Sequence, residues 1–99
     1  MRVIAKRTLR EFWERSGHGD AQRPLIEWHN LMINANWLTP QALKAEIGTA
    51  SIIKAGRVVF NIAGNKYRLV VAIDYNHQIA WLKFVGTHAQ YDQIDVETI

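Results

Sequence analysis

RVVFNIAGNKYRLVVAIDYNHQIAWLKFVGTHAQYDQI, residues Arg57–Ile94, alternates apolar and polar side chains and is broken twice by turn-forming residues. Successive side chains on a strand point to opposite faces of a sheet, so this alternation predicts three strands of an antiparallel meander. On the first, Val58, Phe60 and Ile62 share one side, leaving Arg57, Val59 and Asn61 on the other. On the second, Tyr67, Leu69, Val71 and Ile73 form an unbroken apolar row against Lys66, Arg68, Val70, Ala72 and Asp74. The third is less regular: Leu82 and Phe84 fit the apolar side, and Trp81 and Lys83 the opposite one. Ala63-Gly64-Asn65 and Asn76-His77 supply the hairpin loops. Gly86 is the expected position of a bulge, beyond which parity no longer fixes the facing of Thr87 and His88.

With the apolar faces aligned, Arg57, Asn61, Lys66, Arg68 and Lys83 come onto one surface with Trp81, and the tail places His88, Tyr91 and Asp92 close together. Such a surface suits RNA. The same pattern also serves solubility alone on an antiparallel sheet with one solvated face. The chain has 99 residues, 48% of them hydrophobic, which is enough for one domain with a single modest core spanning residues 1–99. Its formal charge of +3 points to a polyanionic partner. Nucleic acid is favoured over membrane, because no apolar run approaches the ~18 residues of a spanning helix. MRVIAKRTLREFWERS lacks the continuous apolar segment of a signal peptide, and there is no cysteine. Disulfides, thiolate nucleophiles and cysteine-ligated zinc are therefore excluded, and a cytoplasmic location is the default expectation.

The first half reads as a short strand followed by helices. Arg2–Ala5 suits an edge strand, and Thr8 with Glu11 matches the capping box that opens a helix carrying Leu9, Phe12 and Trp13. That helix should fail at Ser16-Gly17-His18-Gly19. A second begins around Asp20–Pro24 and runs to about Asn34, with Leu25, Trp28 and Met32 as its buried stripe. Thr39-Pro40 starts a short third helix that ends before Gly48. Ala50–Lys54 suits another strand, with Ala55-Gly56 turning after it. Helices first and a curved meander second predict an α+β domain, with the N-terminal helices packed on one face of a mainly antiparallel sheet.

The stretches RVVFNIAGNKYRLVV and FVGTHAQYDQID, together with TLREFWE and WLTPQALKAEIGTASIIKAGRVVFNI, closely resemble the HigB toxins of type II toxin-antitoxin systems, relatives of the RelE superfamily of messenger-RNA interferases. The resemblance runs over essentially the whole chain. It implies a RelE-like fold and a metal-independent endoribonuclease that cuts mRNA on the ribosome and inhibits translation. It also implies a cognate HigA-type helix-turn-helix antitoxin as partner, and no cofactor. In such a reaction the ribose 2′-OH attacks the adjacent phosphate, so the enzyme positions the RNA, stabilises extra negative charge and moves protons.

Arg57 and Arg68 are the first candidates for clamping phosphate, because guanidinium forks bind its oxygens bidentately and stay charged. Lys54, Lys66 and Lys83 add field or ground-state binding, with Asn61 and Trp81 as further RNA contacts. His88 has a suitable intrinsic pKa for proton transfer, and Tyr91 suits base stacking, 2′-OH orientation or proton transfer. Asp92 ranks lower, since a carboxylate beside phosphate is repelled unless a cation offsets it. Each tail residue also has a structural reading, as a strand-end histidine or a core tyrosine. His18, His29 and His77 do not have the spacing of a metal site, and Trp13, Trp28 and Trp37 read as core. The alternative function is a non-catalytic RNA- or ribosome-binding module that uses the same basic face.

Overall fold

The computed structural model of the chain describes Met1–Ile99 and has the expected α+β architecture. Strand β1 (Arg2–Ile4) leads into α1 (Lys6–Trp13), and a single 3-10 turn at Gly19–Ala21 precedes α2 (Gln22–Asn34) and α3 (Pro40–Glu46). The sheet continues with β2 (Ser51–Ile52), β3 (Arg57–Ile62), β4 (Tyr67–Asp74) and β5 (Ile79–Thr87), and the chain then forms the short helix α4 (His88–Tyr91). Strand order is β1-β5-β4-β3-β2, antiparallel except where β1 joins β5 in parallel.

The core lies between the helices and one sheet face. Helix α2 presents Leu25, Trp28 and Met32 at helical spacing, and Trp28 meets the Phe60 ring edge-on at 5.5 Å. Helix α1 adds Leu9 and Phe12, which pack toward Tyr67, and the sheet contributes Val58, Phe60, Ile62, Leu69, Val71 and Ile73. Leu9, Leu25, Leu43 and Leu69 are fully buried, each side chain contributing about 1.5–3 kcal/mol of hydrophobic stabilisation. Thr39 caps α3 as expected, its hydroxyl oxygen accepting from the Ala42 amide at 3.1 Å.

Three local expectations are corrected. Helix α1 begins at Lys6, after an Ala5 N-cap with no side-chain bond, so Thr8 and Glu11 lie inside the helix rather than opening it. The second strand is two residues long, Ser51–Ile52, instead of reaching from Ala50 to Lys54. The β5 bulge falls at Lys83, not at Gly86: Val70 pairs with Phe84 and Val71 with Leu82, leaving Lys83 as the extra residue. The extra residue reverses facing beyond it. Phe84 therefore joins Val59 and Val70 on the face away from the helices, while Val85 packs against the main core.

Lys66 also leaves the expected cationic face. It sits in the β3–β4 turn and pairs with Asp20 of the 3-10 turn, whose other carboxylate oxygen accepts from the Tyr67 hydroxyl at 2.5 Å. The hydrogen bonds from Lys66 and Tyr67 hold the Asp20 carboxyl below its usual range. The Asp20 bond in turn raises the Lys66 ammonium, and burial raises the Tyr67 phenol. A lowered carboxyl contributes stability above its unfolded value and loses it on acidification, while the raised lysine and tyrosine lose theirs on the alkaline side. The contribution of this cluster to the melting temperature should therefore hold steady between roughly pH 5 and 9 and fall below about 4 and above about 10. Asp20→Asn should flatten the acid limb in a pH series of thermal melts and shrink the alkaline one, leaving the part that burial of Tyr67 causes.

Candidate functional site

The face opposite the helices is built in rows set by strand register. Asn61, Arg68 and Gly86 lie side by side at one end, Val59, Val70 and Phe84 in the middle, and Arg57, Ala72 and Trp81 at the other end. Val59 and Val70 are buried although they stand outside the main core. The chain beyond β5 accounts for their burial: α4 turns back beside β4 and β5, and the backbone then runs to Ile99, whose carbonyl oxygen accepts from the Arg57 guanidinium. Ile94, Val96 and Ile99 are half-buried along this path. The C-terminal segment thus lies along the middle of the face and leaves its two ends distinct.

Four predicted residues gather with Asp92 at the Asn61–Arg68 end. The Arg68 guanidinium stands 5.9 Å from the Tyr91 ring centroid, within cation–π range, and donates one bond, 3.1 Å, to the Asn65 carbonyl in the adjacent turn. The other N–H groups of its fork have no protein partner. The His88 ring packs edge-on toward Tyr91 with centroids 6.5 Å apart, and its Nδ1 lies 3.4 Å from a carboxylate oxygen of Asp92. Asn61 is exposed beside Arg68. A cation with free donors, an aromatic face, an imidazole and a carboxylate therefore converge on one solvent-facing patch.

That convergence depends on how α4 is held. Thr87 and Gln90 form a reciprocal capping box: the Thr87 hydroxyl oxygen accepts from the Gln90 amide at 3.2 Å, and the Gln90 side-chain oxygen accepts from the Thr87 amide at 2.9 Å. Gly86 makes room for it. A Cβ at that position would come within 2.6 Å of both the Gln90 side-chain oxygen and the Phe84 ring. Sequence reasoning misses this supporting role of Gly86, Thr87 and Gln90, although the Thr87-x-x-Gln90 spacing is the signal that could have found it.

The remaining candidates stand apart from this patch. Arg57 starts β3 opposite Ala72, four residues along β4 from Arg68, or about 13 Å at strand rise, so the two arginines do not meet at one point. Arg57 is half-buried and spends its donors on the Ala55 carbonyl, 2.8 Å away, and on Ile99; its Nε is buried without a partner. Trp81 shares the Arg57 row and is 37% exposed, enough to offer a ring face. Lys54, before β3, and Lys83, at the bulge, are both exposed. Lys66 is occupied by Asp20. His18 stacks on Phe12 with centroids 4.3 Å apart, and His77 bonds Asp74, so both have local structural partners.

Comparison with known proteins gives consistent matches. Residues 21–94 match the model of a family described as HigB_toxin, RelE-like toxic component of a toxin-antitoxin system. The "mRNA interferase toxin HigB" of Escherichia coli strain K12 is 26% identical over 94 residues, covering 93% of this chain and 88% of the relative. The "mRNA interferase HigB" of Escherichia coli O157:H7 and that of Shigella flexneri align with the same identity and coverage.

Proposed function

The chain belongs to the HigB family, the RelE-like toxic components of toxin-antitoxin systems, and on that premise we propose that it is an endoribonuclease that cleaves messenger RNA and so inhibits translation. The observation that carries this is the convergence of Arg68, Tyr91, His88 and Asp92 on one exposed patch at the end of a sheet. RNA supplies the nucleophile. As the ribose 2′-oxygen bonds to phosphorus and the P–O5′ bond breaks, a proton must leave the 2′-hydroxyl and another must reach the departing 5′-oxygen. The free edge of the Arg68 fork meets the charge that builds on the phosphoryl oxygens. Tyr91, held against Arg68, offers a ring for stacking a base beside the scissile bond. His88 is the proton-transfer candidate, with a carboxylate oxygen of Asp92 3.4 Å from its Nδ1.

Lys54, Lys83 and the Arg57–Trp81 end of the face would hold the flanking RNA. In this reading the substrate is mRNA on the ribosome, the setting is the cytoplasm, and the partner is a HigA-type antitoxin. Support comes from family membership, from the curated relatives' names and from the chain's positive charge. No helix is long and apolar enough to cross a membrane.

Mapping 5′ ends of cellular RNA after brief induction of the chain tests the proposal. New ends confined to translated regions, absent for the Arg68→Ala variant, are the expected result. Growth arrest with no new RNA ends would replace it with the alternative, a non-catalytic RNA- or ribosome-binding module.

A further inference from the structure

Between α1 and α2 lies a groove of about 570 Å³ that the proposed RNA face does not use. Leu9 and Leu25 form its floor. On one wall Lys6, Arg10 and Trp13 lie at i, i+4 and i+7, the spacing of a single helical stripe. On the other wall Ile26, His29 and Asn30 share a stripe that continues to Ile33, a run of about 10 Å along α2 at helical rise. Ile26 is 41% exposed and Ile33 48%, so the apolar seam extends past the groove instead of ending in it. An elongated seam fits an elongated occupant.

Its charge is one-sided. Three cations line the groove, Lys6, Arg7 and Arg10, and no carboxylate does. Arg7 and Arg10 reach Glu11 and Glu14 only at 3.9 and 3.8 Å, with all four side chains exposed, so those pairs hold the arginines weakly. Lys6 has no carboxylate partner. Burial, with Lys6 nearby, holds the His29 imidazole below its ordinary range, which leaves the α2 wall uncharged near neutral pH. The groove therefore asks for an apolar stripe flanked on the α1 side by acidic residues.

We propose that this groove docks the antitoxin partner through an acidic amphipathic helix, its apolar stripe laid along Trp13, Ile26 and Ile33 and its carboxylates set against Lys6, Arg7 and Arg10. The inference rests on the toxin-antitoxin reading and deepens it, because family membership calls for a partner without saying where it binds. None of the groove residues belongs to the Arg68 patch, so binding and cleavage are separable by mutation.

The product of the open reading frame adjacent to this chain's own is the antitoxin probe: it is co-expressed with the chain, the complex is purified, and amide hydrogen exchange is compared with that of the chain alone. Slower exchange across residues 6–13 and 26–34 is expected. In parallel, Arg10→Glu and Ile26→Glu should each weaken antitoxin binding about thirtyfold or more while cleaving RNA at the parent rate and melting near the parent temperature. Unchanged affinity in both variants, or protection confined to other elements, overturns the proposal. Protection of α1 and α2 through concentration-dependent self-association of the chain alone overturns it as well, and assigns the groove to a second copy. Should a variant fail to fold, the exchange footprint on the parent decides. If the parent shows no RNA cleavage while both variants still lose the antitoxin, the nuclease reading fails and the docking site stands.

Discussion

Arg68→Ala should slow RNA cleavage about 100- to 1,000-fold, a loss of about 3–4 kcal/mol of transition-state stabilisation. That is the size of effect seen when a well-placed donor is removed from developing oxyanion charge, and much larger than a steering cation contributes. The fold should survive. Arg68 is half-exposed, its one protein hydrogen bond goes to the Asn65 carbonyl, and its contact with the Tyr91 ring is worth only about 0.5–1 kcal/mol at a solvent-facing site. Arg68→Lys should fall between parent and Ala, since it keeps the charge but loses the planar fork. Single-turnover cleavage on programmed ribosomes, alongside a thermal melt, checks both parts. Parent-like cleavage by a folded Arg68→Ala would remove this residue from the mechanism.

Gly86→Val should act on stability and activity together. A side chain at this position starts 2.6 Å from both the Phe84 ring and the Gln90 side-chain oxygen, so the valine methyls cannot enter without moving them. Overpacking of this kind costs about 1–3 kcal/mol, and breaking the Gln90 arm of the capping box adds about 1. A combined loss of about 2–4 kcal/mol lowers the melting temperature by on the order of 10–30 °C in a domain of this size. Helix α4 carries His88 and Tyr91, so cleavage should drop even at temperatures where the variant remains folded. Calorimetry and hydrogen exchange across 87–92 measure the two effects. A Gly86→Val protein that melts like the parent would mean that Gly86 imposes no close approach.

The meander is legible in the sequence because alternation is a local signal. Tyr67, Leu69, Val71 and Ile73 are all buried on the helix side, and the Leu25, Trp28, Met32 stripe is buried as spaced. Phe84 is not legible, because a bulge reverses facing without leaving a residue signature: Lys83 looks like any strand lysine. The cationic face fails in two places for a different reason. Lys66 is claimed by Asp20, 46 positions earlier, and Arg57 by Ile99, 42 positions later, and no window of sequence shows pairings at such separations. The tail is legible as a cluster: His88, Tyr91 and Asp92 do lie together beside Arg68. Its geometry is not, since it depends on a four-residue helix seated against a glycine.

The parallel pairing of β1 with β5 bears on when this molecule becomes complete. Arg2, Val3 and Ile4 pair with Ile79, Ala80 and Trp81, each 77 positions later, so during synthesis the first strand of the sheet waits for the last. Closing so long a loop is entropically late, and contacts of this kind slow folding. A nascent chain whose β5 is still in the ribosome exit tunnel cannot close the sheet, so the face that carries Arg68 is unfinished and the helix layer unsettled. An activity that needs that face is withheld until β5 has been made. Its partner, reading a groove between packed helices, would meet only molecules already finished.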